Sequence, residues 1–80
     1  MIVEIYSKPA CPFCVQAKNL AEQKGYEYTY KMLDEDFTRE ELFETFPGAR
    51  TFPQIIVDGE KIGGFTDFKA MVDSLDYQMF

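Results

Sequence analysis

Hydrophobic residues crowd the start of the chain, where Met1, Ile2, Val3, Ile5 and Tyr6 form an apolar, β-branched run that stops at Ser7-Lys8-Pro9-Ala10. That is the pattern of a buried strand running into a turn. From Cys11 the spacing becomes helical: Val15, Ala17, Leu20 and Ala21 supply one apolar face, Pro12 suits the first helical position, and Gly25 suits a left-handed stop. Tyr26 to Met32 alternates aromatic and polar residues with period two, a second strand whose Tyr26, Tyr28 and Tyr30 form one core stripe. Strand, helix and strand make a βαβ unit, so the two strands should be parallel and the crossover right-handed.

Thr38-Arg39-Glu40-Glu41 fits a capping box that opens a second helix, with Leu42, Phe43 and Phe46 facing inward and Pro47-Gly48 ending it. Phe52 to Val57 reads as a strand, Asp58-Gly59 as a hairpin turn, and Glu60-Lys61-Ile62 as its antiparallel partner. After Gly63-Gly64 the pattern is helical again, with Phe68, Met71, Val72 and Leu75 at three- and four-residue spacing and Thr66 or Asp67 near the cap. The order β-α-β-α-β-β-α predicts an α/β fold, a mixed four-stranded sheet covered by three helices. There is no linker, repeat or low-complexity segment.

Eighty residues suit a single domain over 1–80, and 46% hydrophobic residues, with eight Phe and five Tyr, suffice for a core. Fourteen acidic against eight basic residues give a net charge of -6, which repels phosphate backbones and anionic lipid. Neither nucleic acid nor a membrane is an expected partner. No apolar run approaches the roughly 20 residues of a membrane span, and Met1 to Tyr6 lacks the basic n-region of a leader. A cytoplasmic location is the expectation.

Only two cysteines, Cys11 and Cys14, occur, and there is no histidine. As a staple the pair closes too short a loop to contribute more than about 2 kcal/mol. As half of a zinc site it lacks the further Cys or His ligands, so no metal is expected. Cys-x-x-Cys at a strand-to-helix junction instead suits disulfide exchange. It puts the first sulfur at the helix N-terminus, where unpaired N–H groups and the helix dipole stabilise a thiolate, with Lys8 adding positive potential. Cys11 is then the nucleophile and needs no histidine base. Two structural cysteines that happen to be close would show the same spacing. Pro53, about forty residues on, precedes an apolar strand; it suits a cis peptide beside the sulfur or an ordinary edge-strand proline.

Cys-Pro-Phe-Cys at 11–14, Thr-Phe-Pro at 51–53 and Gly-Gly-Phe-Thr-Asp at 63–67, in that order and spacing, resemble the glutaredoxin family across practically the whole chain. The resemblance implies a thioredoxin-like fold and a glutathione-dependent thiol–disulfide oxidoreductase acting on protein disulfides and protein–glutathione mixed disulfides. Cys14 would be the resolving thiol, glutathione the co-substrate, and no cofactor would be tightly bound. Ribonucleotide reductase enters as a family-level partner without a local feature to support it, and a monomer is expected. By position, Pro53 resembles the family's cis-proline and Phe52 the backbone edge that pairs with glutathione. Gly64, Thr66 and Asp67 resemble its clamp for the γ-glutamyl end, and Lys8 the basic residue near the glycyl carboxylate. Phe13 stands where a Tyr is common and Phe52 where a Val is common, which bears on substrate preference.

Taken singly, Gly63-Gly64 is also a plain turn, Asp67 a helix-start acid, and Lys8 and Arg50 surface charges. Thioredoxin is the nearest rival, but its Trp-Cys-Gly-Pro-Cys is absent and the chain has no Trp. A dimeric iron–sulfur carrier using Cys11 and glutathione thiols is a second alternative, disfavoured by the constrained Pro12. A redox-inert interaction module is a third, opposed by the intact cysteine pair.

Overall fold

β1 (Ile2–Ser7) is the strand on which the rest is assembled, because it pairs on both edges. In the computed structural model, which describes Met1–Gln78, it is followed by α1 (Pro12–Gln23), β2 (Glu27–Met32), α2 (Arg39–Thr45), β3 (Gln54–Val57), β4 (Glu60–Gly63) and α3 (Phe65–Gln78). The sheet order is β2-β1-β3-β4, with β1 parallel to β2 and antiparallel to β3, and β3 antiparallel to β4. This is the thioredoxin-like α/β architecture, a mixed four-stranded sheet with three helices, in the element order the sequence pattern predicts.

The punctuation works as its chemistry requires. α1 ends when Gly25 turns left-handed at φ 71°, its N–H bonding to Glu22 O and that of Tyr26 to Ala21 O. These two bonds make a Schellman motif, which satisfies carbonyls the helix would otherwise orphan. α2 opens with the capping box: Glu41 N–H donates to Thr38 Oγ1 at 3.2 Å, and Thr38 N–H to Glu41 Oε1 at 3.1 Å. Asp58 and Gly59 have φ of 52° and 84°, the paired left-handed geometry of a tight hairpin. Asp58 also ties that turn to β1, accepting from Ile2 N–H through Oδ1 and donating its own N–H to Ile2 O.

Alternation along β1 sends its residues to two separate cores. Val3 and Ile5 pack with Ala17 and Ala21 of α1, Ile55 and Val57 of β3, and Phe68 and Val72 of α3, edged by Tyr26, Tyr28 and Tyr30. On the opposite face Leu33, Phe37, Leu42, Phe46 and Ile56 form a smaller cluster against which Tyr6 and Phe52 pack. Tyr6 meets Phe37 and Phe46 edge-on, with ring centroids 5.0 and 5.2 Å away.

Three expectations are corrected. Val15 is 47% exposed, because the buried row of α1 is Cys14, Ala17 and Ala21. Phe43 is 48% exposed, because one turn-spaced pair, Leu42 and Phe46, is all that α2 can press on the sheet. β3 starts at Gln54 rather than Phe52, since Phe52 and Pro53 form a loop that cannot join the ladder at the proline nitrogen.

Candidate active site

β1 delivers the chain to the helix start through Lys8, Pro9 and Ala10, the last at φ 56°, a left-handed conformation that costs an alanine energy. Cys11 is then the N-cap of α1 with extended backbone, and Pro12 follows at the first helical position. Proline has no N–H to offer, so the first turn's free donors come from the next residues. One of them, Cys14 N–H, points at Cys11 Sγ from 3.2 Å. There is no acidic residue in that first turn to oppose a negative sulfur. A thiolate at Cys11 would meet this N–H and the positive end of the helix together.

Cys11 and Cys14 are joined as a disulfide, their Cα atoms 5.3 Å apart. The two sulfur positions are unequal: Cys11 is 8% exposed and Cys14 0%. Cys11 keeps a little accessible surface and Cys14 none, although Cys11 is more covered than its place at a helix tip suggests.

The motif distant in sequence meets Phe13, the residue between the cysteines, in one cleft. The Phe52–Pro53 peptide is cis, as the resemblance implies. Phe13, Phe52, Pro53, Gly64, Thr66 and Asp67 line one cleft of about 260 Å³, together with Thr51 and Phe65. Gly64 neighbours the Pro53 backbone, and a Cβ there would lie in ordinary contact, 3.5 Å from its carbonyl oxygen. Asp67 turns back on the helix start, its Oδ2 accepting from Gly64 N–H at 3.2 Å. Lys8 is placed apart from this cleft, with its Nζ 5.7 Å from the centroid of the Phe52 ring. It lines instead a second, more apolar groove with Cys11, Pro12, Val15, Tyr30 and Met32. Phe52 lines the first of these depressions and Lys8 the second.

Phe65 is the site residue that sequence reasoning missed. Its ring stacks on Phe13, with centroids 5.9 Å apart and planes 26° apart, and walls the cleft. The signal was available in its place inside Gly-Gly-Phe-Thr-Asp, but an aromatic at a helix start reads equally well as core. Among the described residues no group of three or more His, Cys, Asp or Glu could hold a metal ion. No helix among them is long and apolar enough to cross a membrane.

The glutaredoxin family model matches residues 3–62. The chain is 43% identical to a glutaredoxin of Haemophilus influenzae over 79 residues, covering 90% of this chain and 91% of that one. Its fold superposes on that of reduced Escherichia coli glutaredoxin with a TM-score of 0.80 at 39% identity, covering 95% of this chain and 99% of the other. A buckwheat glutaredoxin–glutathione complex matches with a TM-score of 0.66 at 25% identity, covering 90% of this chain and 69% of that one.

Proposed function

The chain belongs to the glutaredoxin family and is a thiol–disulfide oxidoreductase, and from that premise we propose that glutathione is its electron donor, with Cys11 as nucleophile and Cys14 as resolving thiol. The observation that carries this reading is that Phe13, between Cys11 at the helix N-cap and Cys14, lines a cleft formed by the Phe52–Pro53 edge and the Gly64–Asp67 helix start. Such a cleft suits a zwitterionic tripeptide. Helix-start N–H groups hold a carboxylate, Asp67 accepts from an ammonium, and the Phe52 backbone edge aligns the cysteinyl sulfur. The buckwheat glutaredoxin supports the choice of ligand, since its structure is of a glutathione complex.

On a glutathionylated protein, the Cys11 thiolate attacks the glutathione sulfur and expels the protein thiolate, which takes up a proton. The Cys11–glutathione disulfide is then cleaved by a second glutathione thiolate, releasing glutathione disulfide and restoring the Cys11 thiolate. On a protein disulfide, Cys11 forms a mixed disulfide with one protein sulfur, and the Cys14 thiolate displaces that sulfur to give the Cys11–Cys14 disulfide. Two glutathione thiols then reduce this, ending as glutathione disulfide.

The deciding experiment is turnover of a small glutathione mixed disulfide, with electrons supplied either by glutathione and its reductase or by a thioredoxin reductase system. Turnover with glutathione is expected. Turnover only with thioredoxin reductase would transfer the protein to the thioredoxin mode of reduction.

A further inference from the structure

Ser7 is fully buried, and its hydroxyl is the one buried side-chain polar atom among the described residues without a hydrogen-bond partner. Buried hydroxyls are nearly always paired, because leaving one unpaired forfeits its hydration for nothing. Its backbone is in order, paired with Met32 in the parallel ladder and accepting from Leu33 N–H at 2.9 Å. The anomaly is confined to the side chain.

The topology places a candidate partner in the facing row. Val3, Ile5 and Ser7 are the core-facing row of β1, and each is 0% exposed. Cys14, Ala17 and Ala21 are the buried row of α1. Because β1 and β2 are parallel, α1 must run back along β1, so the two rows are antiparallel. Val3 and Ile5 pack in one cluster with Ala17 and Ala21, and continuing both rows toward the strand's end brings Ser7 level with Cys14. In the disulfide, Cys14 Sγ is bonded to Cys11 and is a poor acceptor. Reduction breaks that S–S bond, two thiols of the reductant becoming one disulfide, and leaves Cys14 as a thiol or thiolate. A thiolate is a strong acceptor.

We propose that the Ser7 hydroxyl donates to Cys14 Sγ once the disulfide opens, so that a hydrogen bond absent from the oxidised protein favours the dithiol state. Two effects follow. The hydroxyl raises the reduction potential of the pair, and it eases formation of the buried Cys14 thiolate that must displace a protein sulfur. The inference concerns the Cys11–Cys14 couple itself and stands whether or not glutathione is the physiological donor.

The test equilibrates wild type, Ser7→Ala, Ser7→Gly and Ser7→Thr with thiol–disulfide buffers of set potential and reads the dithiol fraction by alkylation. Ser7→Ala and Ser7→Gly should shift the equilibrium toward the disulfide by about threefold to tenfold, tenfold being about 30 mV. Ser7→Thr keeps the donor and should stay with wild type. In a Cys11→Ser background, Ser7→Ala should also move alkylation of Cys14 to higher pH. Unchanged equilibria in both hydroxyl-free variants overturn the proposal, and so does a Ser7→Thr shift equal to that of Ser7→Ala, which would make the effect one of packing. Using dithiothreitol as well as glutathione buffers separates this result from the question of the natural donor.

Discussion

Asp67 reaches back three residues to accept the Gly64 N–H through Oδ2 at 3.2 Å, so one side chain both caps the start of α3 and lines the cleft. The fit excludes a side chain at Gly63, whose φ is 112° and whose Cβ would collide with that carboxylate. The two duties can be separated by substitution. Asp67→Asn retains an acceptor for Gly64 but loses the charge, so it should raise the glutathione concentration needed by severalfold while sparing maximal rate, the scale of an exposed charged contact of about 1 kcal/mol. Asp67→Ala loses the acceptor too and should also lower the thermal midpoint. Steady-state kinetics beside thermal unfolding measures both, and an unchanged glutathione dependence in Asp67→Asn would remove Asp67 from the binding site.

The unequal exposure of the two sulfurs leads to unequal phenotypes. Cys11→Ser should abolish all exchange. Cys14→Ser should still turn over glutathione mixed disulfides, where glutathione resolves the intermediate, yet lose most activity on protein disulfides. Equal losses from both substitutions on both substrates would refute the division of labour.

Reduced Cys11 should titrate well below the roughly 8.5 of a free thiol, because the Cys14 N–H and the helix dipole both face it. Iodoacetamide alkylation against pH reads this value. Lys8→Ala should raise it only modestly, since Lys8 is exposed and its charge is screened by solvent and salt. A titration near 8.5 in wild type would undo the activation argument.

Lys31 gives a stability prediction at alkaline pH. Burial pulls its ammonium down, but hydrogen bonds to Glu4 Oε1 at 3.0 Å and Tyr6 OH at 3.3 Å outweigh this, leaving the group above its ordinary 10.5. A raised value in the folded state means that its contribution is complete below 10.5 and is lost as pH rises through the folded value. Tyr28, whose hydroxyl donates to Glu22, is raised in the same direction and adds to the fall. Urea midpoints taken upward from pH 8 should therefore drop less steeply in Lys31→Met than in wild type, with the residual slope reduced again by Tyr28→Phe.

Local chemistry is what made most of the fold legible. Thr38 with Glu41, Gly25, and Asp58 with Gly59 each specify a geometry that needs no knowledge of the rest of the chain, and each adopts it. The site was legible as motifs for the same reason: Phe13, Phe52, Pro53, Gly64, Thr66 and Asp67 do share one cleft. What depended on neighbours was not. Periodicity gives a helix an apolar face but not its width, so Val15 and Phe43 were assigned to cores that lie on the far side of their helices. Nothing about alanine announces the left-handed Ala10 before Cys11, because the turn imposes that conformation on it. Lys8, read apart from the clamp as the residue near the glycyl carboxylate, lies with its Nζ over the Phe52 ring and outside the cleft that Gly64, Thr66 and Asp67 line.

The split of the interior into two cores lets sulfur reactivity and substrate choice vary independently. Cys14 is anchored through α1 in the cluster shared with α3, whereas Phe52 rests on the smaller cluster, to which α2 and its C-cap contribute Leu42 and Phe46. So few anchors make α2 a unit able to open locally, with its amides exchanging hydrogen sooner than those of β1. Such an opening would loosen the support under Phe52, one wall of the cleft, and leave the disulfide seated. Changes at Leu42 or Phe46 would thus retune which proteins are accepted while the sulfur chemistry is inherited unaltered.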